Sequence, residues 1–218
     1  MKAIAINGSP RKKWNTAQLL QHALDGAAEA GAETETVHLY DLNYKGCISC
    51  FECKKIGGKS YGRCAVQDDL APVLEKALAA DVLLIGSPFY LHAETGEMRS
   101  FLERLVFAPY TYTPEGASLY EGKVRTGLFY TMNVKEEMMK EIGQDKTMKS
   151  TSAFLTRVLG HCETQLCFDT LQFNDYSKYL CTVFDGDAKK QRNAEVFPQD
   201  CAKAFALGKK LAEEAKAL

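Results

Sequence analysis

The chain alternates short apolar runs with amphipathic segments, and this alternation limits how it can fold more than any other feature. The runs at residues 2–7, 81–85 and 124–131 are nearly continuous, as expected of strands covered on both faces of a parallel sheet. In the segments between them, apolar residues recur at helical spacing. Strands are predicted at 2–7, 34–39, 81–85, 124–131 and 164–168. Helices are predicted at 15–30, from 68–70 onward, at 97–106, at 150–159 and at 194–216.

Five strands that alternate with five helices predict an α/β fold of three layers. Its centre is a doubly wound, five-stranded parallel sheet, with helices on both faces. No repeat, low-complexity tract or linker interrupts the chain, so residues 1–218 are predicted to form a single domain. Residues 169–193 show no clear period, and ordered loops of this length are often functional or form interfaces.

Charge and cysteine usage exclude several classes of protein. The chain carries 27 basic and 28 acidic residues, so no basic surplus indicates a nucleic-acid or membrane-surface partner. The first apolar run is too short for a signal peptide or a spanning helix, and we therefore expect a cytoplasmic protein. In a chain of this length without an export signal, eight cysteines favour metal ligation, redox chemistry or buried thiols over disulfides.

The turn after the first predicted strand has the residues of a phosphate site. In open α/β sheets, ligands bind beyond the carboxyl ends of the strands. Gly8 permits a sharp turn there, and Ser9 and Thr16 offer hydroxyl groups. Arg11 supplies a charged fork, and Asn15 an amide at the start of a helix, where free N–H groups attract anions. The alternative is a plain turn with Asn15 as the helix N-cap, and the two roles are compatible.

Three motifs follow the predicted strands in a distinctive order. They are Gly8-Ser9-Pro10-Arg11 with Asn15-Thr16, then Gly86-Ser87-Pro88-Phe89-Tyr90, then Gly96-Glu97-Met98-Arg99-Ser100-Phe101-Leu102-Glu103-Arg104. Together they resemble the NADPH-dependent FMN reductase family, which includes the iron-sulfur flavoproteins, and this resemblance implies a flavodoxin-like fold. The sequence departs from the family at Trp14, where a small residue is usual. We expect this ring to flank the cleft or to cover a partner subunit.

The resemblance implies that FMN is held by three loops and that NAD(P)H is the electron donor. The phosphate contacts would come from Ser9, Arg11, Asn15 and Thr16. The ring and ribityl contacts would come from Ser87, Pro88, Phe89, Tyr90 and Leu91, with Met132 and Asn133 on a third loop. For Phe89 and Tyr90 the alternative is ordinary core packing. No catalytic acid or base is assigned, because flavin chemistry depends mainly on positioning.

Cys47, Cys50, Cys53 and Cys64 are candidate metal ligands. The first three have ferredoxin-like spacing, and the iron-sulfur flavoproteins that the chain resembles use such a motif for a 4Fe-4S cluster. Their last gap is shorter, whereas here ten residues, 54–63, separate Cys53 from Cys64 and include flexible glycines. The glycine tract could loop out and still return Cys64, but we favour a displaced Cys64. We therefore expect the aerobically purified protein to contain FMN without stoichiometric iron. Free or packed thiols are favoured over a cluster, and a zinc site is the least favoured alternative.

These expectations lead to two functional hypotheses. The first is an FMN-dependent NAD(P)H oxidoreductase that passes electrons to a quinone, a flavin or another small acceptor, as a homodimer or homotetramer. The second is an iron-sulfur flavoprotein electron carrier that uses FMN and a 4Fe-4S cluster with a ferredoxin-type partner. The cysteine loop favours the carrier, whereas a net charge of only −1 argues against a plain flavodoxin role.

Overall fold

The computed structural model describes residues 1–143 and 145–218, arranged as a sheet between two layers of helices. The strands are β1 (Lys2–Asn7), β2 (Glu33–His38), β3 (Val82–Tyr90), β4 (Ala93–Glu94), β5 (Arg125–Thr131) and β6 (Glu163–Cys167). The α-helices are α1 (Asn15–Glu29), α2 (Ala71–Ala79), α3 (Gly96–Phe107), α4 (Glu136–Glu141), α5 (Asp145–Leu159), α6 (Gly186–Glu195) and α7 (Phe197–Lys216). Among the described residues, no helix is both long enough and apolar enough to cross a membrane.

Five strands run parallel in the order β2-β1-β3-β5-β6, and β4 pairs antiparallel with the end of β3. Alternate residues of each central strand enter different cores. In β1, Ile4 and Ile6 pack with α2, α3 and α5, while Ala3 and Ala5 pack with α1 and α7. Because both faces are covered, the strands read as continuous apolar runs. The predicted doubly wound α/β fold is confirmed.

Two boundaries differ from the prediction for identifiable reasons. β3 continues past residue 85 to Tyr90, because β4 folds back and pairs with its last residues. The predicted helix at 194–216 is instead two helices, α6 and α7, which meet at Val196. Lys189 is the one buried residue of α6, so this helix carries no apolar period that a sequence pattern could reveal. The side chain of Asp185 caps its N-terminus.

Helices α1 and α7 cross so closely that two glycines form the contact. A Cβ atom at Gly208 would lie 1.9 Å from the carbonyl oxygen of Ala23, and one at Gly26 would lie 2.0 Å from that of Phe205. Both obstacles are backbone atoms of the facing helix, so no side-chain rotation could relieve the clash.

Gly208→Ala should therefore destabilise the protein, by about 1–3 kcal/mol, through overpacking of this contact. Helix propensity alone would make Gly208→Ala stabilising, because alanine is favoured over glycine by about 1 kcal/mol inside a helix. Urea unfolding of the variant decides between the two signs. Ala206→Gly, at an exposed position of α7, measures the propensity effect without the contact. A stabilised Gly208→Ala protein would contradict the close crossing.

Candidate functional site

A cavity of about 630 Å³ opens at the carboxyl edge of the sheet, beside the ends of β1, β3 and β5. Its size is typical of small-molecule sites, and its position is the usual one in doubly wound folds. Nine of the eleven predicted FMN-binding residues line it: Ser9, Arg11, Asn15, Thr16, Pro88, Phe89, Tyr90, Met132 and Asn133. The three loops named by sequence therefore meet at one cavity. Ser87 and Leu91 lie outside it.

The phosphate loop is shaped by hydrogen bonds among its own residues. The backbone N–H of Ser9 donates to Oδ1 of Asn7 at 2.9 Å, and that of Arg11 donates to Oγ of Ser9 at 3.2 Å. Gly8 packs against α3, because a Cβ atom there would lie 2.8 Å from the Cβ of Met98. These contacts fix the conformation of the loop at the start of α1.

Helix α1 begins at Asn15, preceded by Trp14 as N-cap, and no side chain caps it. Asn15 is therefore the first helical residue and not the cap that the alternative interpretation placed there. The N–H groups at the N-terminus of α1 and the positive end of its dipole remain available to an anion. This donor set fits the phosphate of FMN.

The second loop is a hairpin formed by the end of β3 and by β4. Phe89 packs edge-to-face on Tyr130, with ring centroids 5.6 Å apart, and Tyr90 is half exposed. The turn residues Leu91 and His92 both have positive φ, +47° and +69°, as the tight connection requires. This geometry turns the Leu91 side chain into solvent, where it is 96% exposed.

Ser87 has a structural role in the same hairpin. It is fully buried, its hydroxyl accepts the Thr95 N–H at 3.2 Å, and the same hydroxyl donates to the Pro88 carbonyl at 2.8 Å. Thr95 caps α3 and donates its own hydroxyl to the Gly8 carbonyl at 2.7 Å. The two hydroxyls therefore fix the hairpin against the phosphate loop.

A buried carboxylate, Glu94, anchors β4 to β5 and α5. Its Oε1 accepts hydrogen bonds from the hydroxyls of Tyr130 and Thr151, while its Oε2 has no hydrogen-bond partner. Burial and the charge of Glu94 raise the pKa of Tyr130, so this phenol stays protonated and remains a donor. The anchor holds Phe89, which pairs with Glu94 in the hairpin, at the cavity.

A fourth wall of the cavity was not predicted from the sequence. It consists of residues 170–179, here called the strap, which follows β6 and lies within the segment that had no clear period. From its polar composition and lack of a period, the sequence predicted only a long ordered loop. Trp14 also lines the cavity, and the Arg11 guanidinium lies 3.6 Å from the centre of its ring. The expectation that Trp14 flanks the cleft is confirmed.

A much smaller cavity, of about 20 Å³, is lined by all four clustered cysteines, Cys47, Cys50, Cys53 and Cys64. The long gap folds outward, and the Gly62 N–H donates to the Cys53 carbonyl at 2.9 Å, which brings the chain back beside the motif. The expected displacement of Cys64 is therefore wrong. The ten-residue insertion changes the loop without removing the fourth thiol.

Two cations hold the cysteine loop to α3. Lys54 donates to the carbonyls of Phe107, Ala108 and Tyr110, which lie at and just beyond the C-terminus of the helix. The side chain of Arg104 is fully buried, and its Nε lies 3.3 Å from the sulfur of Cys64. Burial raises the pKa of the Cys53 thiol, and the adjacent charge of Lys54 opposes that shift.

The sulfur spacing bears on which metal would fit. No three of the four sulfur atoms come within 4.8 Å of one another. A zinc ion at about 2.3 Å from each sulfur would require a tighter group. A 4Fe-4S cluster bonds each thiolate to a different iron and spreads the sulfurs farther apart. Four thiolates could serve either metal, and the sulfurs lie farther apart than one zinc ion would require.

One other group of possible metal ligands occurs in the described residues: His161, Glu163 and Glu214. Lys210 is within 2.9 Å of both oxygens of Glu163 and 3.7 Å from Glu214. A lysine ammonium already neutralises these carboxylates, so we interpret the group as a surface ion-pair network.

Comparison with known proteins agrees with this geometry. The sequence profile of the NADPH-dependent FMN reductase family matches residues 1–137, which include all of the predicted FMN-binding residues. The chain belongs to the NADPH-dependent FMN reductase family. The nine predicted residues that line the main cavity all lie within the matched range.

Curated relatives of this FMN reductase family member are iron-sulfur flavoproteins. One from Methanocaldococcus jannaschii is 38% identical over 104 residues, 48% of this chain and 51% of the relative. One from Methanosarcina thermophila is 30% identical over 156 residues, 69% of this chain and 70% of the relative. The chain therefore spans about half the length of the first relative and more of the second.

Solved structures show that the fold extends over the whole chain. An NAD(P)H:quinone oxidoreductase from Methanothermobacter marburgensis superposes with a TM-score of 0.71 at 17% identity, covering 97% of this chain and 98% of that one. An FMN-dependent NADH-azoreductase from Bacillus anthracis, solved with FMN, gives 0.66 at 13% identity, covering 97% and 100%. At these identities the likeness establishes the flavodoxin-like fold alone.

Proposed function

We propose that this chain is an FMN-dependent NAD(P)H oxidoreductase that passes electrons to a quinone, a flavin or another small acceptor. One observation carries the proposal: nine of the eleven residues predicted for FMN converge on one cavity of about 630 Å³. The cavity lies at the carboxyl edge of the sheet, and the family match covers all three of its predicted loops.

Each loop has a distinct task in this proposal. Arg11, Asn15 and the N-terminus of α1 bind the phosphate by charge and by N–H donors. Phe89 and Tyr90 provide aromatic surface for the flavin ring, and their hairpin is fixed from behind by the buried Glu94. Bound FMN supplies the hydride chemistry, so the protein has to orient the donor and the acceptor and to exclude water.

The phosphate contacts give a direct test. Replacing both Arg11 and Asn15 with alanine should weaken FMN binding by at least about 100-fold, because each charge-assisted contact contributes about 1.5–3 kcal/mol. FMN titration of the apoprotein measures the dissociation constant. Lys13→Ala is the control, because Lys13 is exposed on the same loop and does not line the cavity. Unchanged affinity in the double variant would place the phosphate elsewhere.

The reductase activity has a separate test. Under anaerobic conditions NADH or NADPH should bleach the flavin absorbance of the FMN-loaded protein, and a quinone should restore it. A bound flavin that neither nicotinamide reduces would contradict the oxidoreductase and favour the electron carrier.

The proposed homodimer or homotetramer is supported by aromatic side chains near the C-terminus of α3. Tyr112 is 71% exposed and Phe154 is 46% exposed, and both border an apolar groove beside that helix. Aromatic residues of this kind are enriched at subunit interfaces. Light scattering on the purified protein measures the oligomeric state directly.

A second candidate function is the iron-sulfur flavoprotein electron carrier with a ferredoxin-type partner. The observation that favours it is the single cavity bordered by four cysteines. Between these cysteines, Ser49 and Phe51 adopt positive φ, +54° and +58°, which costs about 1–3 kcal/mol for each non-glycine residue. A cluster bound by four thiolates would compensate for such strain and would be balanced by the charges of Lys54 and Arg104.

A further inference from the structure

The strap is attached to the phosphate loop by three side-chain donors. Trp14 Nε1 and Asn15 Nδ2 both donate to the Leu171 carbonyl at 2.9 Å, and Arg11 Nη1 donates to the Gln172 carbonyl at 2.7 Å. These donors belong to the loop that would bind the FMN phosphate. The position of the strap is therefore linked directly to that of the phosphate loop.

The strap is also attached to the loop that follows β5. The Thr170 N–H and hydroxyl both donate to the Met132 carbonyl, at 3.0 and 3.1 Å. Asn133 Nδ2 donates to the Gln172 side-chain oxygen at 2.6 Å. The strap thus connects two of the three loops of the cavity and closes the gap between them.

A buried lysine fixes the base of the strap. Lys189 of α6 is 2% exposed, and its ammonium donates to Asp169 at 2.5 Å and to the Asn133 carbonyl. Asp169, immediately before the strap, has a φ of +54°, a strained conformation for a non-glycine residue. The ion pair with Lys189 compensates for that strain.

The strap has little apolar anchoring of its own. Phe173 and Tyr179 stack on each other, with centroids 3.9 Å apart, but Tyr179 is 53% exposed and Leu180 beyond it is fully exposed. A segment without a buried apolar face is held by its polar contacts and opens at low cost when they are removed. The cavity keeps its volume of about 630 Å³ with the strap in place, so the strap covers the site without filling it.

We propose that the strap is a clasp that retains FMN, and that Trp14 and Lys189 are the positioning residues that keep it closed. This inference rests on the proposed FMN site. FMN leaves the cavity when the strap separates from the phosphate loop, so the contacts of these two residues set the dissociation rate. Trp14 supplies an indole N–H that a small residue at this position would lack.

Two single substitutions and a control test the clasp. Trp14→Phe removes the indole N–H and keeps a ring beside Arg11, and Lys189→Met removes the ammonium at the base. Lys190→Met is the matched control, because Lys190 is exposed on the same helix and its ammonium pairs with Asp187, outside the strap. Each FMN-loaded protein is diluted, and the return of free-FMN fluorescence gives the dissociation rate. The unfolding temperature of each FMN-free protein is measured in parallel.

Lys189→Met should raise the dissociation rate at least about tenfold, because it breaks the ion pair of a buried ammonium. Trp14→Phe should raise it about two- to tenfold, because the Leu171 carbonyl loses one hydrogen bond and keeps the one from Asn15. Lys190→Met should leave the rate unchanged. The faster dissociation from Trp14→Phe should occur with an unchanged unfolding temperature in the absence of FMN, which a purely structural role would not produce. Equal dissociation rates in all four proteins would overturn the clasp. Slower dissociation of FMN from the variants would show that the strap carbonyls compete with the FMN phosphate for the same donors. That result would also overturn the clasp. A wild-type protein that binds no FMN would reject the proposed function itself.

Discussion

Replacing Arg104 with methionine should lower the free energy of unfolding by about 3–5 kcal/mol, the range observed when one partner of a buried ion pair is removed. The Arg104 side chain is fully buried and pairs with Asp68 at 2.5 Å. It also donates to the carbonyls of Lys45 and Val66, at 3.1 and 3.0 Å. Methionine fills part of the space but leaves these acceptors without a donor.

The measurement is denaturant unfolding of the reduced, FMN-free protein, with Arg99→Met as control. Arg99 also belongs to α3, but its side chain is 55% exposed and its contact with Glu94 is 3.8 Å long, so its loss should cost less than about 1 kcal/mol. Equal effects of the two substitutions would contradict a structural role for the buried guanidinium.

The same ion pair predicts a pH dependence. Burial opposes ionisation of Asp68, but the hydrogen bond and charge of Arg104 outweigh it and lower the pKa of this carboxyl. A lowered acid pKa stabilises the folded state above the unfolded value and loses that contribution as the pH falls through the folded value. The difference between wild type and Arg104→Met should therefore narrow below about pH 4.

The parts of the molecule that depend on regular periods could be predicted from the sequence. Apolar runs gave the strands, and the order of the runs placed Gly8, Pro88 and Met132 at one edge of the sheet. Parallel strands put their carboxyl ends together, so loops distant in sequence had to meet there. For this reason nine candidate residues line one cavity.

The remaining features depend on local geometry that a period does not encode. Leu91 follows Tyr90 directly, yet the tight turn with positive φ directs it into solvent. Ser87 is in the expected motif, but its hydroxyl forms hydrogen bonds within the hairpin instead of lining the cavity. The strap is held through its backbone carbonyls. Because every residue has a carbonyl, no residue type in the sequence could predict these contacts. The position of Cys64 was predicted wrongly because the number of residues in the gap does not specify the path of the chain.

Because Cys64 lies beside the other three cysteines, we now expect a cluster where the sequence favoured free thiols. After anaerobic reconstitution with iron and sulfide, the wild-type protein should hold about four irons per chain, and Cys53→Ser should lose most of them. Cys201→Ser is the control, because Cys201 is a buried residue of α7 and does not line the cysteine cavity. Iron and sulfide assays, with the broad visible absorbance of the cluster, provide the measurement.

The physical reason for this expectation is preorganisation. Arg104 of α3 binds the Lys45 and Val66 carbonyls at the two ends of the cysteine loop, and Lys54 attaches its middle to the end of the same helix. These contacts reduce the loop entropy that would be lost when a cluster binds. The charges of Lys54 near Cys53 and of Arg104 beside Cys64 would balance the thiolates of a bound cluster. Iron bound no better by wild type than by Cys53→Ser would reject the carrier and return the four cysteines to the role of packed thiols. One zinc per chain, with no iron retained, would show that the loop closes more tightly than the sulfur spacing indicates.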